Sequence, residues 1–540
     1  MISTKSIYDD KEKIWRGIDA PLLYGPNISL GSAILEALMK DPNHITQICH
    51  PSGKTYTNGE IASLMIRVAQ HFQKLNFKQR DIVGICAANS DFIAPLVFGA
   101  WATGLVINTM DVSFDKDGLR HAFLITKPKI MFCDDVIYPV IKEIFDECNL
   151  TKTIYTVKGH IEGVPSIKEF LKCVAEEEKF NVPTLPMGGK ELAVILYSSG
   201  TTGLPKGVCL THADLLNRMI FKLEPNDRLI CFSTLYWLSG IVVVIGVTTA
   251  GATRIISENA YSPESFFEII EQYKATVMFT PPSQLAQAIS SPRLQEVDLS
   301  NLRTYLCGGS MVSYSLVVKL KSYAPKLLFI NGYGMSEASG ACTYGEMKAE
   351  NDVGEVSANM ELKVVDDNNL SLGPGKPGEL HIRPKFPWHG YYKNPKATAA
   401  AYDSEGWIHS GDIGYVDENG RVYILDRKKD IVKYNNFHVY PTEIENTIST
   451  IPDVVEVCVC GIPDISSGHL LAAAIVKKSN STLTENDVYD YVASKMAHFK
   501  HLRGGVYFLD SLPKTPSGKN IRREVNNICI NKRNQLLNKS

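Results

Sequence analysis

The sequence predicts an α/β protein: a large N-terminal domain of parallel-sheet subdomains with covering helices, followed by a small α+β C-terminal domain. Three observations carry this. Short apolar runs such as Ile82–Cys86 and Ile130–Cys133 are followed by amphipathic stretches at 92–102 and 136–145, the β-then-α order that builds parallel sheets. Beyond residue 431 the pattern changes to a compact mixture of two helices and two strands. The length of 540 residues has room for three or four cores at about 150 residues each.

In chain order, the opening section to about residue 186 repeats the strand–helix alternation. A polar connection follows at 176–190. Residues 192–196 (Leu-Ala-Val-Ile-Leu) are an apolar strand leading into a turn-rich loop. Strands are expected at 228–232 and 276–280, and a helix at Pro263–Tyr273. The apolar run 235–252 is interrupted by Ser239, Gly240, Gly246, Thr248 and Thr249 and has Arg254 as its close basic flank, so it is expected to be a buried helix and not a membrane span. Residues 305–310 are a strand entering a small-residue turn, where Gly308 and Gly309 either make a tight strand–helix corner or leave space for a flat ring. The strand 327–330 delivers Asn331-Gly332-Tyr333-Gly334-Met335-Ser336-Glu337. A Gly/Pro-rich hairpin region spans 372–383. In the tail, Pro441 starts a helix, 454–461 and 472–476 are strands, and Thr484 caps a second helix.

Hydrophobic residues make up 44% and charged residues 21% of the chain, with a net charge of −2. This is a globular composition with no electrostatic reason to bind nucleic acid. The twelve cysteines include no C-x-x-C pair, which argues against zinc or disulfide frameworks and fits a reducing compartment. Cys458 and Cys460, alternating with valines, are expected on one strand face. The N-terminus lacks an apolar signal core.

The chemistry concentrates at 197–208, Tyr-Ser-Ser-Gly-Thr-Thr-Gly-Leu-Pro-Lys-Gly-Val. Glycines let backbone N–H groups face a ligand, hydroxyls add hydrogen bonds, and Lys206 adds a positive charge, which suits a polyphosphate. Gly207 follows Lys206 where a Walker A loop has Ser or Thr.

This loop, the 331–337 segment, Ser410-Gly411-Asp412, Asp426-Arg427-Lys428-Lys429 and Lys514-Thr515-Pro516-Ser517-Gly518-Lys519 occur in an order that resembles the adenylate-forming superfamily of acyl-CoA synthetases, 4-coumarate–CoA ligases and beetle luciferases. The resemblance covers nearly the whole chain and is weakest before Lys190. It implies an N-terminal adenylation domain at 1–428 and a mobile C-terminal lid at 429–540, hinged near Lys429. It implies catalytic roles for Lys519, Lys206 and Glu337. Nucleotide and cofactor contacts would come from Ser198, Ser199, Gly200, Thr201, Thr202, Gly203, Gly309, Asn331, Gly332, Tyr333, Gly334, Ser336, Asp412, Arg427, Lys429, Lys433 and Asn436. Tyr333 would help to sandwich adenine, Asp412 would accept the ribose hydroxyls, and Glu337 with Thr202 would hold Mg²⁺. Tyr236 and Trp237 would line the substrate tunnel.

The implied reaction is ATP-dependent activation of a fatty or aryl carboxylic acid to its adenylate, followed by transfer to coenzyme A. The alternatives are a luciferase-like monooxygenase, an adenylating enzyme with another acceptor, or a catalytically reduced nucleotide- or acyl-binding paralogue. The last residues lack the Ser-Lys-Leu peroxisomal address, so a cytoplasmic location is expected. The acid and the oligomeric state stay open. Two departures stand out: Trp237 and Thr234 replace the histidine and proline of a Pro-x-x-His pattern, and Asn435-Asn436 replaces Lys-Gly.

Overall fold

The computed structural model describes residues 5–151, 153–198, 205–217, 223–435, 437–464, 466–515 and 519–537. Two sheets make up the N-terminal region. The smaller has six strands in the order Lys206–Thr211, Leu192–Ser198, Val106–Met110, Ile82–Cys86, Ile130–Cys133, Ile154–Thr156. All neighbours are parallel except the first pair, which forms an antiparallel hairpin around the turn-rich loop. Ile82–Cys86 and Ile130–Cys133 are buried along their whole length, which is why they read as unbroken apolar runs.

The larger sheet has fifteen strands and two halves of different character. Strands Ile45–His50, Thr253–Ser257, Arg228–Cys231, Val277–Thr280, Thr304–Gly308 and Leu328–Met335 run parallel, with Thr55–Thr57 added antiparallel at the outer edge of Ile45–His50. From Leu328–Met335 onward every added strand is antiparallel: Gly340–Glu346, Asp352–Val356, Arg421–Arg427, Ile408–Val416, Gly378–Pro384, Met360–Val365, then Ile14–Arg16 and Ile7–Asp9. Parallel pairing, expected for the N-terminal domain, is met in the six-stranded sheet and in one half of the large sheet, while the other half is antiparallel. Tight turns replace helical crossovers in the second half. At 417–420, for example, Asp417 Oδ1 accepts the N–H groups of Asn419 and Arg421, and Gly420 takes φ +82°, so consecutive strands must reverse.

Helices Leu30–Lys40, Asn58–Lys74, Ile93–Trp101 and Leu238–Ala250 contribute to a core shared by the two sheets. Thr57 and Glu60 form a reciprocal capping box that starts the second of these. Leu238–Ala250 is apolar all round, is buried from Gly240 to Thr248, and stops at Gly251 in the left-handed conformation. Among the described residues no helix is long and apolar enough to cross a membrane.

The N-terminal strands close the far edge of the large sheet. Trp15, 1% exposed, pairs with Leu362, Arg16 Nε contacts Glu361 Oε1 at 2.8 Å, and Ser6 Oγ donates to the Gly420 carbonyl.

The last strand of the large sheet in sequence ends at Arg427, and the small C-terminal sheet begins at Val432. That sheet contains Val432–Tyr434, Phe437–Val439, Val454–Asp464, Gly468–Lys477 and Gly505–Phe508, with helices Pro441–Ile448, Glu485–Lys495 and Arg522–Leu537. Cys458 and Cys460 lie on one buried face with Cys529. Asp426 ties the two regions together: its Oδ2 accepts both the backbone N–H and the hydroxyl of Thr442, at 3.0 and 2.9 Å, at the start of Pro441–Ile448. A carboxylate there meets the positive end of the helix dipole.

Candidate active site

Lys206 begins the strand after the turn-rich loop and pairs with Ser198 across the hairpin; both are half-buried. Residues Ser199, Gly200, Thr201, Thr202 and Gly203 between them lie outside the described residues, as does Asn436. The base of the hairpin is held from outside. His121 Nε2 lies 3.0 Å from the Pro205 carbonyl, and the 390–392 segment bonds along the Lys206–Thr211 strand through Cys209 N–H to Gly390 O and Tyr392 N–H to Gly207 O. This brings Tyr391 beneath Lys206, whose Nζ stands 5.0 Å from the ring centroid. The Tyr391 hydroxyl in turn donates to Glu337 Oε1 at 2.7 Å.

Sequence reasoning missed Tyr391, because a lone tyrosine in a Gly-Tyr-Tyr segment carries no periodicity. Only the adjoining Gly390 and the Asn394–Pro395 helix start mark the turn. Glu337 is 9% exposed in the single turn Ser336–Ala338. Its other lone pairs supply hard oxygen donors, so the residues present fit Mg²⁺.

The strand expected over 327–330 runs on as far as Met335, folded back on Gly340–Glu346 with a bulge at Tyr333/Gly334. The glycines permit the tight approach: a Cβ on Gly334 would stand 2.5 Å from the Gly340 carbonyl. Asn331 faces into the sheet, 4% exposed, its Nδ2 donating to the Asp352 carbonyl at 2.9 Å. Its side chain is thus committed to holding strands together. Gly332 lies between Gly308 and Tyr344 in register. The two glycines of the neighbouring turn divide the alternatives between them. A Cβ on Gly308 would come within 2.9 Å of the Gly332 carbonyl, whereas Gly309, at φ +98°, faces open space.

The most concentrated electrostatics surround Asp412. The Tyr333 hydroxyl donates to its Oδ2 at 2.6 Å, and Arg427 Nε stands 3.4 Å from its Oδ1. Burial raises the Asp412 carboxyl above its usual range, against the opposing effects of Arg427, Tyr333 and Lys519. Lys519 belongs to the C-terminal domain, yet interacts with Asp412 and Arg427. Burial and then the Arg427 charge pull its ammonium down to about 8, with Asp412 opposing. Its loop is clasped at the base, Thr515 N–H donating to Lys519 O at 2.8 Å and Lys519 N–H to Thr515 Oγ1 at 3.2 Å. The C-terminal domain therefore brings its lysine into the field of two residues on neighbouring strands of the large sheet. A carboxylate oxygen has two lone pairs, so Asp412 keeps acceptor capacity beyond Tyr333.

Lys429 lies exposed in the turn between the last large-sheet strand and the small sheet, where partial burial lowers its ammonium and Asp430 opposes. Lys433 is exposed on the small sheet. Among the described residues no hydrogen bond or ion pair joins Lys433, Tyr236 or Trp237 to the Asp412 group. Trp237 immediately precedes the Leu238–Ala250 helix, half-buried, its ring edge-on to Tyr236 at 4.6 Å. Tyr236 is buried against Phe114. Thr234, in the proline position, donates to Asp111 Oδ2 at 3.0 Å.

Residues 35–392 match the AMP-binding enzyme family and residues 443–519 its C-terminal domain. "4-coumarate–CoA ligase-like 9" of Arabidopsis thaliana is 31% identical over 498 residues, covering 89% of this chain and 86% of its own. "Probable 4-coumarate–CoA ligase 3" of Dictyostelium discoideum is 28% identical over 534 residues, covering 94% and 96%. Among solved structures, the luciferase-like enzyme of the nonluminescent Zophobas morio mealworm superposes with a TM-score of 0.72 at 28% identity, over 77% of this chain and 98% of that one. ATP-bound MatB from Rhodopseudomonas palustris shares the fold, with a TM-score of 0.83 at 24% identity over 94% and 100%. With both parts of the family pattern matched and the fold shared along the chain, this protein belongs to the adenylate-forming superfamily of AMP-binding enzymes.

Proposed function

We propose that the protein is an acid–CoA ligase acting on an aryl or fatty carboxylic acid. A substrate carboxylate oxygen attacks the α-phosphorus of ATP and the bond to the β-phosphate oxygen breaks, giving acyl-adenylate and pyrophosphate. The thiol of coenzyme A then loses its proton, attacks the acyl carbon, and AMP leaves. The observation that carries this reading is Lys519, brought from the second domain into the field of Asp412 and Arg427.

Lys519 places a positive charge where negative charge gathers during attack, and Arg427 offers a rigid fork to ribose or phosphate. Asp412 accepts the ribose hydroxyls. Lys206 stands on the loop side, and Glu337, oriented by Tyr391, would hold Mg²⁺, which would neutralise phosphate charge when bound. Rotation of the C-terminal domain about Lys429 would then withdraw Lys519 and admit the thiol. ATP–pyrophosphate exchange across a panel of carboxylic acids tests the first half-reaction, and thioester formation on adding CoA tests the second. No exchange with any acid would overturn the reading.

A second reading, adenylation with slow thiol transfer or another acceptor, is favoured by Trp237. Its indole has one N–H donor and no base, where the resembled pattern has an imidazole.

A further inference from the structure

His381, on strand Gly378–Pro384, and His409, on strand Ile408–Val416, are direct cross-strand partners. Their rings lie face to face, centroids 4.1 Å apart and planes 12° from parallel. Asp403 Oδ2 stands 3.2 Å from His409 Nε2, and its Oδ1 is fixed by the N–H groups of Glu405 and Trp407 at 3.0 and 2.9 Å. One ligating atom from each of the three residues lies within 4.8 Å of the others. His381 is only 3% exposed, and neither of its ring nitrogens has a hydrogen-bond partner. A buried imidazole with both nitrogens unpaired calls for a further group, an ion or a water, beside it.

We propose that His381, His409 and Asp403 form a binding site for a divalent transition-metal ion such as zinc. Two imidazoles and a carboxylate suit zinc and its neighbours better than magnesium, which prefers an all-oxygen shell. Burial, with His409 alongside, pushes the His381 imidazole below its ordinary range. The twofold backbone support of Asp403 is the kind that orients a ligating carboxylate. Coordination must turn the rings out of their stack, because parallel rings hold their lone pairs side by side, whereas ligand atoms around tetrahedral zinc stand about 3.3 Å apart.

The fourth position falls to water or to Glu379, whose Oε1 is 3.8 Å from His381 Nε2 and also accepts the Gly411 N–H. Lys363, opposite His381, is a nearby cation, but its ammonium lies over the Trp407 ring and 3.9 Å from Glu405. Because Gly411 adjoins Asp412 in the same strand, a bound ion would brace the strand that carries Asp412 while sharing no residue with the Glu337–Tyr391–Lys206 group.

The test uses the full chain, stripped with a chelator and free of nucleotide, titrated with zinc chloride by calorimetry and heated with zinc or magnesium present. The expected result is one zinc equivalent and a raised Tm with zinc but not with magnesium. His381→Phe keeps the ring and its stacking but removes both nitrogens. It should lose that equivalent and the Tm shift while retaining adenylation with Mg–ATP. If His381→Phe fails to fold, His409→Gln tests the same site, and cobalt substitution gives tetrahedral visible bands that the variant should lose. A wild type without the zinc equivalent, or variants that bind zinc as the wild type does, would overturn the proposal and leave a stacked pair of neutral imidazoles.

Discussion

An ammonium lowered to about 8 is half discharged near the top of the ordinary assay range, so Lys519 sets a pH limit on the chemistry. Its charged form prevails well below pH 8 and is lost as pH rises through that value. The kcat/KM for ATP, which reports the free enzyme, should therefore fall above about pH 8. Lys519→Arg should flatten that limb because guanidinium stays charged, and Lys519→Ala should abolish most exchange at every pH while the fold survives. An unchanged limb in Lys519→Arg would assign it to another group. Tyr391→Phe removes the hydroxyl that orients Glu337 and should raise the Mg²⁺ needed for half-maximal exchange about 10-fold or more, by analogy with supports of metal ligands. Mg²⁺ titration of exchange measures this, and an unaltered requirement would separate Glu337 from the metal. Trp237→His should speed thioester formation more than adenylation in single-turnover experiments. Equal effects on both steps would make Trp237 an ordinary pocket residue.

At the scale of elements, the polar connection at 176–190 is fastened within its span and on both sides of it. Arg67 Nε meets Glu177 Oε1 at 2.6 Å, Arg80 forks onto Glu191 at 2.7 and 2.8 Å, and Phe170 packs among Phe72, Phe132 and Tyr155. Phe170→Ala should cost about 3–5 kcal/mol, read as a lower denaturant midpoint. What the sequence made legible follows from burial. Strands enclosed on both faces, such as Ile130–Cys133, announced themselves, and the helix Pro263–Tyr273 stands at the bounds expected for it. The antiparallel half was harder to read. Ile408–Val416 spells Ser-Gly-Asp in mid-strand, and Ile7–Asp9 and Ile14–Arg16 are too short for a period to register. The Asp412 group was legible as residues. Its closure by Tyr333 and the Tyr391 link were not, because both join segments far apart in sequence.

Across the whole molecule, the interface between the large sheet and the C-terminal domain is secured where Asp426 receives Thr442. That bond sits beside the turn containing Lys429, so it bears on how the two domains are held. Asp426→Asn keeps the shape but weakens the acceptor facing a helix N-terminus. It should loosen the arrangement that presents Lys519, lowering adenylation more than thioester transfer from preformed adenylate, while each domain stays folded. Parallel assays of the two half-reactions decide it, and equal loss in both would point to simple destabilisation.

The edge strands at 7–16 have their partners at 360–365, which sets an order of events during synthesis. At roughly 5–20 residues per second, a ribosome needs on the order of 20–70 s to move from the first of these segments past the second. For that interval the Trp15 side chain lacks the strand it packs beside, so its apolar surface waits in the newborn chain until residues 360–365 have been made.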